Sequence, residues 1–225
     1  MRFCLFDIDG TLLRSGGAGK AAMESSLVEE FGLARVEVQV PFSGRTDRAI
    51  SRDLLSLHGI EPHDEHVARL LRGYLHRLPV CLRKYNGTVL PGVCELLDAL
   101  ESHEEIGIGL LTGNIREGAR LKLEHFAIFD YFAFGAFGDE HLDRDDVARS
   151  AWQEVVRRAP RCRPEDVWII GDTPLDVRCA RAIGARVVAV ATGWHSADEL
   201  RRSEPDLLLP NLTDVDCLLQ CILRP

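Results

Sequence analysis

Phe3-Cys4-Leu5-Phe6-Asp7-Ile8-Asp9-Gly10-Thr11 is a short apolar run that ends in two carboxylates, a glycine and a hydroxyl. A continuous apolar run of this length predicts a strand buried on both faces, as in a parallel sheet covered by helices. In open α/β sheets, ligands gather at the carboxyl ends of the strands. One acid at such an end is placed to attack as a nucleophile, and its neighbour two residues on to act as general acid and base. Gly10 lets the chain turn sharply beside a ligand. Taken alone, the segment also reads as a plain strand-ending turn, because Asp and Gly are common there.

Further apolar runs end in the same way. Ile106 to Leu111 meets Thr112-Gly113-Asn114, and Tyr131 to Phe134 meets Gly135. Val167 to Ile170 meets Gly171-Asp172, Val187 to Val190 leads to Ala191-Thr192-Gly193, and Leu207 to Leu209 stops at Pro210. Helical stripes alternate with them at Pro91–Ser102, Ile115–Phe126 and Val147–Ala159. Thr173-Pro174-Leu175-Asp176 and Ser196-Ala197-Asp198-Glu199 read as capped helix starts. Strands alternating with helices from about residue 87 onward predict parallel βαβ units and an α/β fold.

The stretch between Asp7 and Ile106 differs. A glycine-rich hinge, Ser15-Gly16-Gly17-Ala18-Gly19, precedes helical patterns at Ala18–Phe31, Thr46–His58 and Asp64–Leu78, and Asn86-Gly87 marks the turn back. This predicts a helical cap over residues 15–86, inserted into a core of residues 1–14 and 87–225.

Two other strand ends carry chemistry. Thr112-Gly113-Asn114 offers a hydroxyl, a flexible backbone and an amide at a helix start, a ready seat for a phosphate. Gly171-Asp172-Thr173-Pro174-Leu175-Asp176 adds two more acids. Acids converging from separate strands repel unless a cation sits among them, and hard oxygen donors suit Mg²⁺.

With these residues the chain resembles the haloacid dehalogenase superfamily. Asp7-Ile8-Asp9-Gly10-Thr11 matches its DxDGT motif, Thr112 its second motif, and Gly171 to Asp176 its GDxxxD motif. The resemblance implies a Rossmann-like parallel sheet core with an inserted α-helical cap. It implies Asp7 as nucleophile, Asp9 as acid/base, and Mg²⁺ held by the Asp7 carboxylate, the Asp9 main-chain carbonyl and the Asp172 carboxylate. Asp176 is then an outer partner, and Gly113 and Asn114 contact substrate beside Thr112. The family's usual Lys before the fourth strand has no counterpart, since the chain's three lysines are Lys20, Lys84 and Lys122. Arg144 is the substitute expected, with Arg149 as the fallback, because a guanidinium supplies fixed charge and a fork for phosphoryl oxygens.

The implied reaction is Mg²⁺-dependent hydrolysis of a small phosphorylated metabolite through an aspartyl-phosphate. The alternative is a phosphosugar mutase resembling β-phosphoglucomutase, which returns the phosphoryl group to a second hydroxyl. Dehalogenation needs neither Asp9 nor Asp172. Phosphonate cleavage calls for a cap Lys, with Lys20 and Lys84 the nominal candidates, and a non-catalytic binding module is disfavoured by the intact Asp pair. Gly16 to Lys20 lacks the spacing of a phosphate-binding P-loop and reads as a hinge. Ser43-Gly44-Arg45-Thr46 either reaches a substrate through Arg45 or starts a helix.

Bulk properties agree with an enzyme of this kind. A formal net charge of −8 argues against nonspecific nucleic-acid binding, and Arg157, Arg158, Arg161 and Arg163 read as a solvated helix end and loop. Seven scattered cysteines without a CxxC pair point to reduced thiols. No apolar run has the length of a membrane span, and the N-terminal residues lack the pattern of a signal peptide, so a cytoplasmic location is expected.

Overall fold

The computed structural model describes residues 1–36 and 39–223. The chain opens with β1 (Arg2–Phe6), whose Phe3, Cys4, Leu5 and Phe6 are fully buried, and continues through a short β2 (Leu13–Arg14). Three helices follow: α1 (Ala18–Phe31), α2 (Asp47–Leu57) and α3 (Asp64–Lys84). β3 (Thr88–Val89) then pairs antiparallel with β2, so outgoing and returning chain run side by side at the root of the helical segment.

From there strand and helix alternate. The order is α4 (Val93–Glu101), β4 (Ile106–Leu111), α5 (Arg116–His125), β5 (Phe134–Ala136), α6 (Arg144–Arg158) and β6 (Val167–Gly171). α7 (Pro174–Ile183), β7 (Arg186–Val190), α8 (Ala197–Arg202), β8 (Leu207–Leu209) and α9 (Val215–Leu223) complete the chain. The six-stranded sheet has the order β5-β4-β1-β6-β7-β8, and its neighbours pair in parallel. This is the Rossmann-like α/β fold that the motifs imply.

The period-two alternation of β1 divides the core. Cys4 and Phe6 pack into a layer with Leu96, Leu97 and Leu100 of α4 and Ile222 of α9. Phe3 and Leu5 face the other way, onto Val147, Ala151 and Val155 of α6 and Val177 of α7. Burying one such Phe or Leu contributes about 1.5–3 kcal/mol, which makes a strand apolar on both faces a strong determinant of the sheet's centre. The helical segment has a separate apolar cluster, with Met23, Leu27, Leu54, Leu70 and Leu78 among its members and Ile115 joining from the start of α5.

Register positions the site. Phe6 is paired with Leu110 of β4 on one side and with Ile170 of β6 on the other. The residues that follow these strands, Asp7, Thr112 and Asp172, therefore emerge together at the carboxyl ends of three adjacent strands.

Several elements depart from the periodicity. The strand expected at Tyr131 to Phe134 occupies Phe134–Ala136 instead, and Tyr131 closes a 3₁₀ turn over Phe129–Tyr131. Tyr131 is held outside it by its hydroxyl, which donates to Asp98 at 2.5 Å. α3 runs past Leu78 through Pro79 to Lys84, because its buried stripe continues at Leu82, one turn after Leu78. α6 begins at Arg144 rather than Val147, with the Asp143 side chain accepting from the Asp145 N–H. Among the described residues no helix is long and apolar enough to cross a membrane.

Candidate active site

Asp7 lies directly after β1, and its neighbours Asp172 and Asp176 come from the end of β6 and the first turn of α7. All three are buried, and one carboxylate oxygen from each lies within 4.8 Å of the others. Gly10, at φ 91°, makes the turn that lets the chain pass this cluster, and a Cβ on it would stand 2.4 Å from Asp172 Oδ2. Any other residue there would meet both the backbone restriction and the carboxylate. Thr11 donates its hydroxyl to Asp172 Oδ1 at 3.0 Å.

Arg144 is the buried cation in the cluster. Its Nη1 donates to Asp7 Oδ1 at 3.2 Å and its Nη2 donates to Asp176 Oδ1. A cation in the first turn of α6 opposes the helix dipole, so the two carboxylates are what hold it there. Burial works against the charge on Arg144, but Asp7 and Asp176 outweigh it and raise the guanidinium pKa. Asp176 has its second oxygen committed as well, accepting from the Thr173 N–H at 3.0 Å and hydroxyl at 2.7 Å in the capping box of α7.

One guanidinium does not balance three buried acids. Burial lifts the Asp7 carboxyl to about 6; Arg144 pulls it down, while Asp176 and Asp9 push it up. Asp172 is raised well above the usual carboxylate range, by burial first and then by Asp176 and Asp7. A hard divalent cation bound among these oxygens would relieve that repulsion, so the donor set fits Mg²⁺.

The second part of the site surrounds Asp9. Its Oδ2 accepts from Asn114 Nδ2 at 2.9 Å and from Lys122 Nζ at 2.5 Å. Asn114 also donates to Thr112 Oγ1 at 2.9 Å and accepts from Lys122 at 2.6 Å. The structure thus brings Asp7, Asp172, Asp176 and Arg144 into one cluster, and Asp9, Thr112 and Asn114 into a neighbouring one.

Gly113 touches the helical segment through its backbone. A Cβ on Gly113 would stand 2.1 Å from the Arg45 carbonyl oxygen. The Asp47 N–H donates to the Gly113 carbonyl at 2.8 Å, and Asp47 Oδ2 accepts from the Ile115 N–H at 2.9 Å. The Arg45 side chain is not part of either cluster. Its Nη2 donates to Asp53 at 2.7 Å and its Nη1 to the Pro41 carbonyl at 3.3 Å, both within the helical segment. Thr46 caps α2, accepting from the Ala49 N–H at 3.1 Å. Arg149 is paired with Asp146 on the surface, its side chain 58% exposed. Lys20 bonds Gln39 on the surface, and Lys84 stacks over Tyr85 at the end of α3.

Lys122 and Asp47 are additions that the motif reading does not contain. Lys122 shares the buried face of α5 with Gly118, Ala119 and Leu123. A lone cation on the buried phase of a helical stripe is the sequence signal that marks it. Asp47, an acid in the first turn of α2, carries only the signal of a dipole partner.

Asp47 has a consequence for stability. Burial lifts its carboxyl from 3.8 to about 6; Lys122 and the Ile115 N–H lower it, while Asp9 and Asp139 raise it. The folded state then retains a proton that the unfolded chain releases over this range. Stability from this group is full below the lower value and lost as pH rises through the upper one. Two units correspond to about 3 kcal/mol. Asp47→Asn keeps an acceptor for Ile115 and carries no charge. Its stability relative to the parent should rise by up to about 3 kcal/mol between about pH 4 and pH 7. Urea unfolding of both proteins at the two pH values measures this, and a pH-independent difference would contradict it.

The sequence model described as haloacid dehalogenase-like hydrolase matches residues 4–190. The chain belongs to this family. Phosphoglycolate phosphatase of Synechococcus elongatus is 29% identical, over 99% of this chain and 97% of its own length. Phosphoglycolate phosphatase 1 of Pseudomonas aeruginosa is 27% identical, over 98% of this chain and 79% of its own length. Among solved structures, CbbY from Rhodobacter sphaeroides in complex with phosphate superposes with a TM-score of 0.75 at 18% identity, covering 96% of both chains. At that identity the likeness is one of fold. The chain is a phosphatase-like hydrolase of the haloacid dehalogenase family.

Proposed function

We propose that this family member hydrolyses the phosphate monoester of a small metabolite through an aspartyl-phosphate on Asp7, with Mg²⁺ as cofactor. The observation that carries the reading is the buried cluster of Asp7, Asp172 and Asp176 around Arg144 at the ends of β1 and β6. Its anionic oxygens suit a metal and a nucleophile, and its cation suits a phosphoryl group.

Asp7 attacks phosphorus in line, and the P–O bond to the leaving group breaks. Asp9 gives its proton to the departing oxygen. Asp9 then takes a proton from water as that water attacks phosphorus, which releases inorganic phosphate and regenerates the Asp7 carboxylate. Thr112 accepts from both the amide and the backbone N–H of Asn114. Its hydroxyl proton is then free to serve a phosphoryl oxygen. Arg144 holds Asp7 in place and offsets phosphoryl charge. The Asp7 and Asp172 carboxylates and the Asp9 main-chain carbonyl would hold Mg²⁺, which supplies charge neutralisation at the transferring group. Asp176, occupied by Arg144 and Thr173, is an outer partner.

Residues 15–86 are read as a cap, because α1 to α3 carry their own apolar cluster and meet the site through the 44–47 turn. A cap limits the leaving group to small molecules. The curated relatives support a phosphatase rather than a mutase, and phosphoglycolate is the first substrate to assay.

Phosphate release from a panel of short phosphorylated acids and sugars tests the reading. Activity should vanish in EDTA and return with Mg²⁺. Full activity in EDTA would remove the metal from the scheme. Interconversion of sugar phosphates without phosphate release would favour the mutase.

A further inference from the structure

Lys122 is a buried cation outside the family motifs quoted above. Its side chain is 5% exposed, although it lies in the middle of a helix whose neighbouring positions pack apolar groups. Burying an ammonium costs several kcal/mol unless it is paired and its donors are used. Two of the three donors have short bonds, at 2.5 Å to Asp9 Oδ2 and 2.6 Å to Asn114 Oδ1. Asn114 closes the triangle by donating to the same Asp9 oxygen at 2.9 Å. Gly19 of α1 packs over the ammonium; a Cβ there would stand 3.4 Å from Nζ. Asp47 of α2 adds an electrostatic attraction from the side of the helical segment.

The asymmetry at Asp9 gives this arrangement its meaning. Both bonds fall on Oδ2, and among the described residues no donor is bonded to Oδ1. The Asp9 side chain is itself 40% exposed and follows the strand in a turn, so little packing restrains its rotation. We propose that Lys122 is a positioning residue for the acid/base carboxylate: with Asn114 it anchors Oδ2 of Asp9 and leaves Oδ1 aimed at the leaving group. The inference rests on the reading of Asp9 as acid and base. In the first half-reaction the proton passes from Oδ1 to the departing oxygen. In the second, Oδ1 takes one proton from the attacking water, and Oδ2 stays on Lys122 and Asn114 throughout. Anchoring of this kind shortens the search for a productive geometry at the proton-transfer step.

The test compares an aryl phosphate with a good leaving group and an alkyl phosphate with a poor one. Both are assayed with the parent, Lys122→Met, Asp9→Asn and the double variant, with thermal melts alongside. Asp9→Asn should lose far more activity on the alkyl ester, by about 10²-fold or more beyond its loss on the aryl ester. Lys122→Met should show the same bias at smaller size, about 10-fold or more. On the aryl ester the double variant should be no slower than Asp9→Asn, because the two changes remove one device. Lys122→Gln, whose amide can still donate to Asp9, should recover part of the alkyl-ester rate. It carries the comparison if the Met variant does not fold. Equal losses on both esters in the Lys122 variants, or multiplying losses in the double variant, overturn the positioning role while leaving Asp9 its own. No leaving-group bias in Asp9→Asn overturns the reading of Asp9 and this proposal with it.

Discussion

Asp7→Asn should remove turnover by about 10³-fold or more while leaving the protein folded. The amide has nearly the shape of the carboxylate but no anionic oxygen to form the phosphoryl bond. Burial with two other acids nearby already opposes the charge on Asp7, and Arg144 keeps its bond to Asp176 in the variant. The thermal midpoint should therefore stay close to the parent's or rise. Steady-state phosphate release and a melt on the same sample check both parts. Turnover within about tenfold of the parent would remove Asp7 from its role, since a tenfold change corresponds to only about 1.4 kcal/mol of barrier.

Arg144→Ala should damage both activity and fold. Removing the guanidinium leaves Asp7, Asp172 and Asp176 buried together without their cation. Breaking a buried pair from one side costs about 3–5 kcal/mol, so the variant should be markedly less stable in EDTA. Mg²⁺ should restore much of that stability, because on the proposed scheme it neutralises the Asp7 and Asp172 carboxylates. Turnover in Mg²⁺ should fall by about 10²–10³-fold, the usual size of losing one donor to a developing phosphoryl or oxyanion charge. Arg144→Lys should fall between parent and alanine variant, keeping the charge but not the fork that spans Asp7 and Asp176. Arg149→Ala should be near neutral, as an exposed pair with Asp146 contributes little. A crippled Arg149→Ala beside an unaffected Arg144→Ala would reverse the assignment.

Much of the fold is legible in the sequence because the core is binary. The run Phe3 to Phe6 is apolar on both faces, as suits a strand at the centre of a parallel sheet covered by helices. The strand ends are legible for a related reason. Thr112, Asp172 and Asp7 follow runs whose register the sheet equalises, so residues far apart in sequence meet at the carboxyl ends of adjacent strands. The β5 edge is less legible because Tyr131 to Phe134 is apolar throughout, and periodicity alone does not separate the end of a 3₁₀ turn from a strand. Pro79 obscured the end of α3, where packing of Leu82 outweighs a missing N–H.

The site was harder to read where side chains act across layers. Lys122 belongs to a helix pattern and reaches Asp9 from behind the Thr112 turn, a contact without any fixed spacing. Asp47 and the Arg45 carbonyl approach from the helical segment, and backbone contacts of that kind have no residue signature. Arg45 shows the converse: an arginine beside a glycine in a loop invites a binding role, while its guanidinium is committed to Asp53.

The proposed mechanism turns on covalent transfer of the phosphoryl group to Asp7. Acid quenching of the enzyme within its first turnover, followed by borohydride reduction and peptide mass analysis, tests it directly. Borohydride reduces an acyl phosphate to an alcohol and leaves a free carboxylate unchanged. Reduction is expected at Asp7, with Asp9, Asp172 and Asp176 unmodified and no reduction without substrate. Reduction at another carboxylate, or a first turnover completed with Asp7 unmodified at every quench time, would contradict it.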